Sequence, residues 1–338
     1  MAKWIDGAIL VWCATIGGCS GVPELPEMIG GDWQPPILTA AEARSRNTVA
    51  LVFDEPVAVR EVNLDPEVAV TDAAWQEDAL VLTTVRDLAP GDLYWIDARV
   101  EDESGNMSSV LVSVYGLNPQ LPEVRINEFV CEGTGRHVDW VELLVLGDGN
   151  LGGLTLYEGS PGIWDSRYVF PAMDVAAGDF VIVHFKPEVL PEEVDETLDK
   201  GASGGNNSHD EAWDVWVSGG DGIPNTTGAL SLTRHPAGAV MDGVLYTTKR
   251  YDASHEYRGF GLESQLQMME ELVALGCWKI SGETVIPEDL VDPEDSTSTR
   301  SINRTPGATD SDSSADWHVG PTSSASPGWE NTGDRYEG

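Results

Sequence analysis

The chain has 338 residues and a mass of 36.4 kDa, enough for about two domains that each bury a core of their own. Its 19 basic and 57 acidic residues leave a formal charge of −38 and a pI near 4.1. That balance argues against a nucleic-acid backbone or an anionic membrane surface as the main partner, because both would be repelled. The 41% hydrophobic and 22% charged residues predict a folded chain, and 36 Gly with 20 Pro predict many short strands joined by turns.

Met1-Ala2-Lys3 opens a short positive segment, and Gly7 to Ile16 is an apolar run. A bilayer-spanning helix needs about 20 such residues, so this run has the length of a signal-peptide core instead. It leads into Ile16-Gly17-Gly18-Cys19, which resembles the lipobox of bacterial lipoproteins. The resemblance implies a signal peptide over residues 1–18, cleavage before Cys19, and lipid attachment at the Cys19 thiol. Several acyl chains there would anchor the protein to a membrane, where a single chain binds only marginally. The expected location is the bacterial cell envelope, at the outer membrane or cell surface. Residues 19–36, with Gly and Pro throughout, read as a lipidated tether.

From Ile37 the pattern becomes regular. Val49, Leu51 and Phe53 alternate with other residues, and Ala79 to Thr83, Leu93 to Val100 and Val110 to Val114 are further strand candidates. Ala89-Pro90-Gly91-Asp92 and Asp102-Glu103-Ser104-Gly105-Asn106 are turn signals between them. The spacing predicts a β-sandwich. Leu51-Val52-Phe53-Asp54-Glu55-Pro56-Val57 and Val100-Glu101-Asp102-Glu103-Ser104-Gly105-Asn106 resemble a strand and a turn of bacterial Ig-like domains of the surface-layer type. The resemblance spans residues 37–118 and implies a spacer domain. Leu117 to Pro122 reads as a linker.

A second β-rich region comes next. Its ordered pieces are Ile126-Asn127-Glu128-Phe129, Asp139-Trp140-Val141-Glu142-Leu143, a turn at Ala177-Gly178-Asp179, Ser231-Leu232-Thr233-Arg234 and Val240 to Tyr246. Ser301-Ile302-Asn303-Arg304, Asp310 to Trp317 and Ser326-Pro327-Gly328-Trp329-Glu330-Asn331 complete the series. The order resembles the lamin-tail domain, which implies an Ig-like β-sandwich over residues 122–331, with a tail at 332–338. Two insertions are expected, Lys186 to Asp214 and roughly Thr247 to Thr299. The second holds a helix candidate, Leu262 to Leu275, ended by Gly276, with Leu262, Leu266, Met269 and Val273 on its apolar face. The expected fold class is therefore all-β: two Ig-like sandwiches in tandem, the second with insertions that include a short helix.

Few motifs carry chemistry. Gly147-Asp148-Gly149-Asn150-Leu151-Gly152 matches G-x-G-x-x-G, but Leu154 to Tyr157 just beyond it alternates like a strand, whereas a dinucleotide site needs a helix there. Gly201-Ala202-Ser203-Gly204-Gly205 matches G-x-S-x-G without the strand and helix a nucleophile elbow requires. The six histidines form no zinc spacing. Asp310, Asp312 and Asp316 place carboxylates in one loop, as calcium sites do, although the Gly and Glu of an EF-hand are missing. The same residues can brace a loop by bonding its backbone, so calcium and a hydrogen-bonded turn both stand open. Cys131 and Cys277 remain after signal removal, either as one disulfide or as two buried thiols. Trp213, Trp216, Trp278, Trp317 and Trp329 pack loops or reach a partner.

The leading expectation is a non-catalytic lipoprotein, held to the membrane through Cys19, that binds an unknown protein or glycan at the cell surface or serves as a structural module. A metal-dependent secreted hydrolase or phosphoesterase-associated protein, and a carbohydrate-binding module, are the alternatives. Cys19→Ala is expected to block lipid attachment and leave the precursor uncleaved. Metabolic labelling with a palmitate analogue checks this, and equal labelling of wild type and variant would refute it.

Overall fold

The computed structural model describes residues 32–135, 137–236, 238–307 and 310–338. Cys19, the expected signal peptide and most of the tether lie outside the described residues. The first unit contains β1 (Leu38–Ser45), β2 (Thr48–Phe53), β3 (Ala58–Asp65), β4 (Val70–Gln76), β5 (Ala79–Thr84), β6 (Leu93–Glu101) and β7 (Met107–Tyr115). These form two sheets ordered β1-β2-β5-β4 and β3-β6-β7, with antiparallel pairing throughout. Val49, Leu51, Leu80 and Leu82 of one sheet meet Tyr94, Ile96, Ala98 and Val100 of the other in a common core. The period-two alternation along β6 produces this directly, since every second side chain faces the opposing sheet.

The second unit continues with β8 (Val124–Val130), β9 (Trp140–Val145), β10 (Gly149–Asn150), β11 (Thr155–Gly159), β12 (Trp164–Val169), β13 (Asp174–Val175), β14 (Phe180–His184), β15 (Trp213–Trp216), β16 (Thr227–Thr233) and β17 (Val240–Thr247). Helix α1 (Glu263–Ala274), β18 (Ile302–Arg304) and β19 (Trp317–Val319) complete it. A six-stranded sheet, β15-β14-β9-β8-β18-β19, faces a four-stranded one, β12-β11-β16-β17. Ile126, Phe129, Val141, Leu143, Val181 and Val183 of the first sheet pack with Leu156, Leu230, Leu232, Val244 and Tyr246 of the second. The all-β class, with one short helix in the second part, is as expected.

Three local readings change. The first insertion does not remain a loop to its end, because Trp213 to Trp216 pairs parallel to β14 at the sheet edge. Its mixture of acids and glycines gave no strand period until those last residues. On α1 Leu266, Met269 and Val273 pack on the core as expected, joined by Met268 and Leu272, while Leu262 sits before the first turn and is exposed. The helix ends as its Gly276 suggested. Gly276 takes a positive φ of 81°, its N–H donates to Val273 O (3.0 Å) and the Cys277 N–H to Leu272 O (3.3 Å), the paired bonds of a Schellman cap. The linker is also tied down: Asn118 Nδ2 donates to Asn150 O (2.7 Å) and Gly152 O (2.8 Å).

One buried cluster joins the two sheets. Arg304 of β18 donates through Nη2 to both oxygens of Asp242 on β17, at 2.9 and 2.7 Å, and through Nε to Ile126 O at 2.8 Å. Asp242 also accepts the Ile126 N–H at 2.7 Å and the Gly243 N–H at 2.8 Å. Burial pushes the Asp242 carboxyl up to about 6, against the pull of the Arg304 charge. Removing one member leaves the other charge buried and unpaired, at a cost of about 3–5 kcal/mol. Arg304→Met is expected to lower unfolding free energy by that amount in urea titrations, and a loss below about 1 kcal/mol would show the bridge to be dispensable.

Candidate functional site

The outer face of the six-stranded sheet carries a second set of buried polar groups. Glu128 and Glu142 are register partners across β8 and β9, and neither has exposed surface. Two carboxylates at such positions need donors, and the carboxy-terminal segment supplies them. Glu128 accepts the Ser326 N–H (3.0 Å) and hydroxyl (2.9 Å), and Glu142 accepts the Gly328 N–H (2.6 Å) and Asn127 Nδ2 (2.7 Å). Burial raises both carboxyls, and the neighbouring Glu128 charge raises Glu142 further. Asn331 closes the strap by donating to Asn127 O (2.8 Å) and Arg304 O (2.9 Å). Further along the same face, His184 Nε2 and Asp214 Oδ1 lie 2.7 Å apart, and the imidazole stacks on Trp216 at 3.9 Å. Asp214 also accepts the His209 N–H at 2.6 Å.

The three loop aspartates are drawn to separate partners. Asp310 Oδ1 meets Arg304 Nη1 at 2.8 Å and Asp310 Oδ2 lies 3.6 Å from Arg125 Nε. Asp312 faces Lys279 Nζ at 3.3 Å. Asp316 turns inward and accepts the Ser311 N–H (2.9 Å), the Ser311 hydroxyl (2.7 Å) and the Ser313 N–H (3.3 Å). This geometry favours the braced turn over a calcium cage, because the carboxylates diverge. Among the described residues, one group of three acids does bring its oxygens together: Asp32, Glu55 and Asp102 lie within 4.8 Å of one another. The two segments that resembled Ig-like domains thus meet at one end of the first sandwich. Asp102 already accepts from Asn106 N (2.8 Å) and Nδ2 (2.7 Å), and crowding by Asp32, Asp102 and Asp54, after partial burial, raises the Glu55 carboxyl.

Cys131 and Cys277 are free thiols, both buried, so the disulfide alternative gives way to the other. Cys131 Sγ lies 3.9 Å from Ser296 Oγ, whereas Cys277 Sγ donates to Leu272 O at 3.1 Å below α1. Burial pushes each thiol up to about 12, which removes thiolate reactivity at neutral pH. In the G-x-G-x-x-G segment Gly149 and Asn150 form β10, not a helix. Ser203 accepts the Trp216 indole N–H at 3.0 Å and its own N–H donates to Glu196 at 2.8 Å, a packing role. Trp213 donates to Asp179 (3.1 Å) and Trp278 to Asp289 O (3.2 Å), Trp317 is buried, and Trp329 stays exposed.

A cleft of about 670 Å³ opens beside this face between Arg125, Leu144, Phe180, Arg304, Glu330 and Asn331. Its two guanidinium groups are engaged, Arg304 with Asp242 and Asp310, and Arg125 with Glu123 at 2.7 Å. The Glu128–Glu142 clasp was absent from the sequence-based candidates. The signal for it was an acid in the middle of each of two apolar strand patterns, Ile126 to Val130 and Trp140 to Val145.

Residues 122–319 match the family model TP_1001_2nd, described as protein second domain, over more than half of the chain. The chain belongs to that second-domain family. The matched span contains β8 to β19 and both the Asp242–Arg304 bridge and the acidic loop. A solved DUF4876 family protein from Bacteroides thetaiotaomicron VPI-5482 aligns at 11% identity over 78% of this chain and 88% of its own, with a TM-score of 0.30. No curated protein matches the chain.

The loop geometry of this second-domain chain makes a direct prediction. Asp316→Ala removes the acceptor of three loop donors and is expected to cost about 1–3 kcal/mol. The loss should be equal in calcium and in chelator, measured by thermal melts. A calcium-specific rise in wild-type melting temperature that the variant lacks would restore the metal reading, with magnesium as the control for charge screening.

Proposed function

We propose that the chain is a non-catalytic lipoprotein of a bacterial cell envelope. In this reading a lipid at Cys19 anchors it, the first sandwich spaces it outward, and the second, a lamin-tail-like domain, forms a structural or binding module for a protein or glycan at the cell surface. The observation that carries the reading is the state of the buried charges. Asp242, Arg304, Asp310, Asp316, Glu128 and Glu142 each meet donors or acceptors from the fold itself, which suits ties between loops better than groups that act on a substrate. The chain of hydrogen bonds through Glu142, Asn127, Asn331, Arg304 and Asp242 is what supports the lamin-tail resemblance, since residues of its scattered motifs meet there. The anchor rests on the Ile16-Gly17-Gly18-Cys19 sequence, and the net charge of −38 supports a partner other than nucleic acid.

The rival hydrolase reading gives opposite results in one assay. The full chain, incubated with magnesium, manganese, zinc or calcium and with phosphomonoester and phosphodiester substrates, is expected to release no product above the blank. Turnover that a chelator abolishes would overturn the non-catalytic proposal.

A further inference from the structure

The three-stranded sheet of the first unit has one face in the core and one in solvent. On β6 the solvent face carries Trp95, Asp97 and Arg99, between buried Tyr94, Ile96 and Ala98. Register places Asp65 and Ser113 on either side of Trp95, and Asn63 and Leu111 on either side of Asp97. Trp95 is 44% exposed and Leu111 69% exposed. The Trp95 ring borders a cleft of about 410 Å³ lined by Asn63, Leu64, Asp65, Trp95, Asp97 and Leu111. The side chains of Asn63, Asp65, Trp95 and Asp97 have no hydrogen bond or ion pair among the described residues. Glu101 pairs with Arg60 and Asp78 with Arg44, whereas Glu61, Asp72 and Glu77 of the same unit are, like Asp65 and Asp97, without a side-chain partner among the described residues.

We infer that this face is a binding platform for a neutral oligosaccharide, with Trp95 as the stacking ring and Asn63, Asp65 and Asp97 as partners of the sugar hydroxyls. The inference rests on the non-catalytic binding reading and gives it a ligand class and a site. A pyranose ring has an apolar C–H face and a rim of hydroxyls that both donate and accept. The indole offers a flat apolar surface. The carboxylates accept, and the Asn63 amide both accepts and donates. Neighbouring strands lie about 4.8 Å apart and same-face residues about 6.8 Å apart, so the polar groups surround the ring at the scale of one sugar unit. Charge selects among occupants: two unpaired carboxylates on a chain of −38 repel anionic glycans, anionic lipid and nucleic acid. The exposed large apolar side chains of this face are Leu93, Trp95, Met107 and Leu111, few against the roughly 20–30 residues a side of a stable protein interface.

The test is calorimetric titration of the full chain with neutral hexasaccharides of β-linked glucose and of N-acetylglucosamine, alongside an anionic polysaccharide and a lysine-rich peptide. At least one neutral hexasaccharide should bind. Trp95→Ala should weaken that binding about tenfold or more and Asp97→Asn by a smaller factor, with circular dichroism confirming the fold of both. Trp329→Ala, at an exposed ring on the other unit, should bind as wild type does. Absence of binding by both hexasaccharides, or binding unchanged by Trp95→Ala, overturns the proposal, and binding of the peptide alone overturns it in favour of a protein partner. Chromatography of the titrated sugar separates the two readings. Cleaved sugar would overturn the non-catalytic function while leaving the platform, whereas intact sugar without binding would remove the platform and leave the function.

Discussion

The bridge between Asp242 and Arg304 is the constraint on which the second unit is organised. Each residue lies on a different sheet of the sandwich, and each is buried. Taking two charges out of water costs several kcal/mol apiece unless their remaining hydrogen-bonding capacity is met. The structure meets it by bringing the Ile126 backbone, the Gly243 N–H and Asp310 to the pair, and by laying the guanidinium over the Trp317 ring at 4.7 Å. The position of β8, the path of the 310–316 loop and the return of β19 are thus consequences of one buried contact. A hydrophobic pair would have held the sheets together without dictating where those three segments go.

The same logic orders the outer face. Glu128 and Glu142 stand side by side on adjacent strands, an arrangement that disfavours itself unless backbone N–H groups or protons intervene. The carboxy-terminal strap supplies the N–H groups from Ser326 and Gly328. Chain far from the sandwich in sequence is therefore held to it by acids inside the sheet. The acidity of this protein has two distinct uses: exposed carboxylates give a repelling, soluble surface, while a few buried ones act as acceptors that gather loops.

The first unit contrasts with the second. Its core is apolar, drawn from alternating strands, and Asn63, Asp65 and Asp97 lie outside, around Trp95 on the open sheet. A three-stranded sheet with one solvated face offers a rigid, nearly flat surface whose side chains stand at regular spacing. Loops vary that spacing, and strands do not, so recognition built on a sheet face is positioned by the fold itself. Ties inside one sandwich and exposed groups on the other together suit a protein that holds its shape while presenting a surface.

Much of the fold was legible in the residues. The strands at Leu93 to Val100 and Val240 to Tyr246 and the helix ended by Gly276 declared themselves, because short apolar runs between turns, and caps, are local properties of the chain. The edge strand β15 did not, since its parallel partner β14 lies some thirty residues away and nothing local marks that pairing. Asp242, Arg304, Asp316, Glu128 and Glu142 could be read as pieces of motifs, yet their sequence separations, up to 198 positions for Glu128 and Ser326, hid which of them meet. Likewise the spacing of Asp310, Asp312 and Asp316 suited either a cation or a turn, and the cysteines either a bridge or two thiols. Composition and periodicity determine the class of fold and the sign of the surface. Only the tertiary structure determines whether buried charges find each other or a ligand, because hydrogen bonds depend on directions and distances that the linear order of residues does not contain.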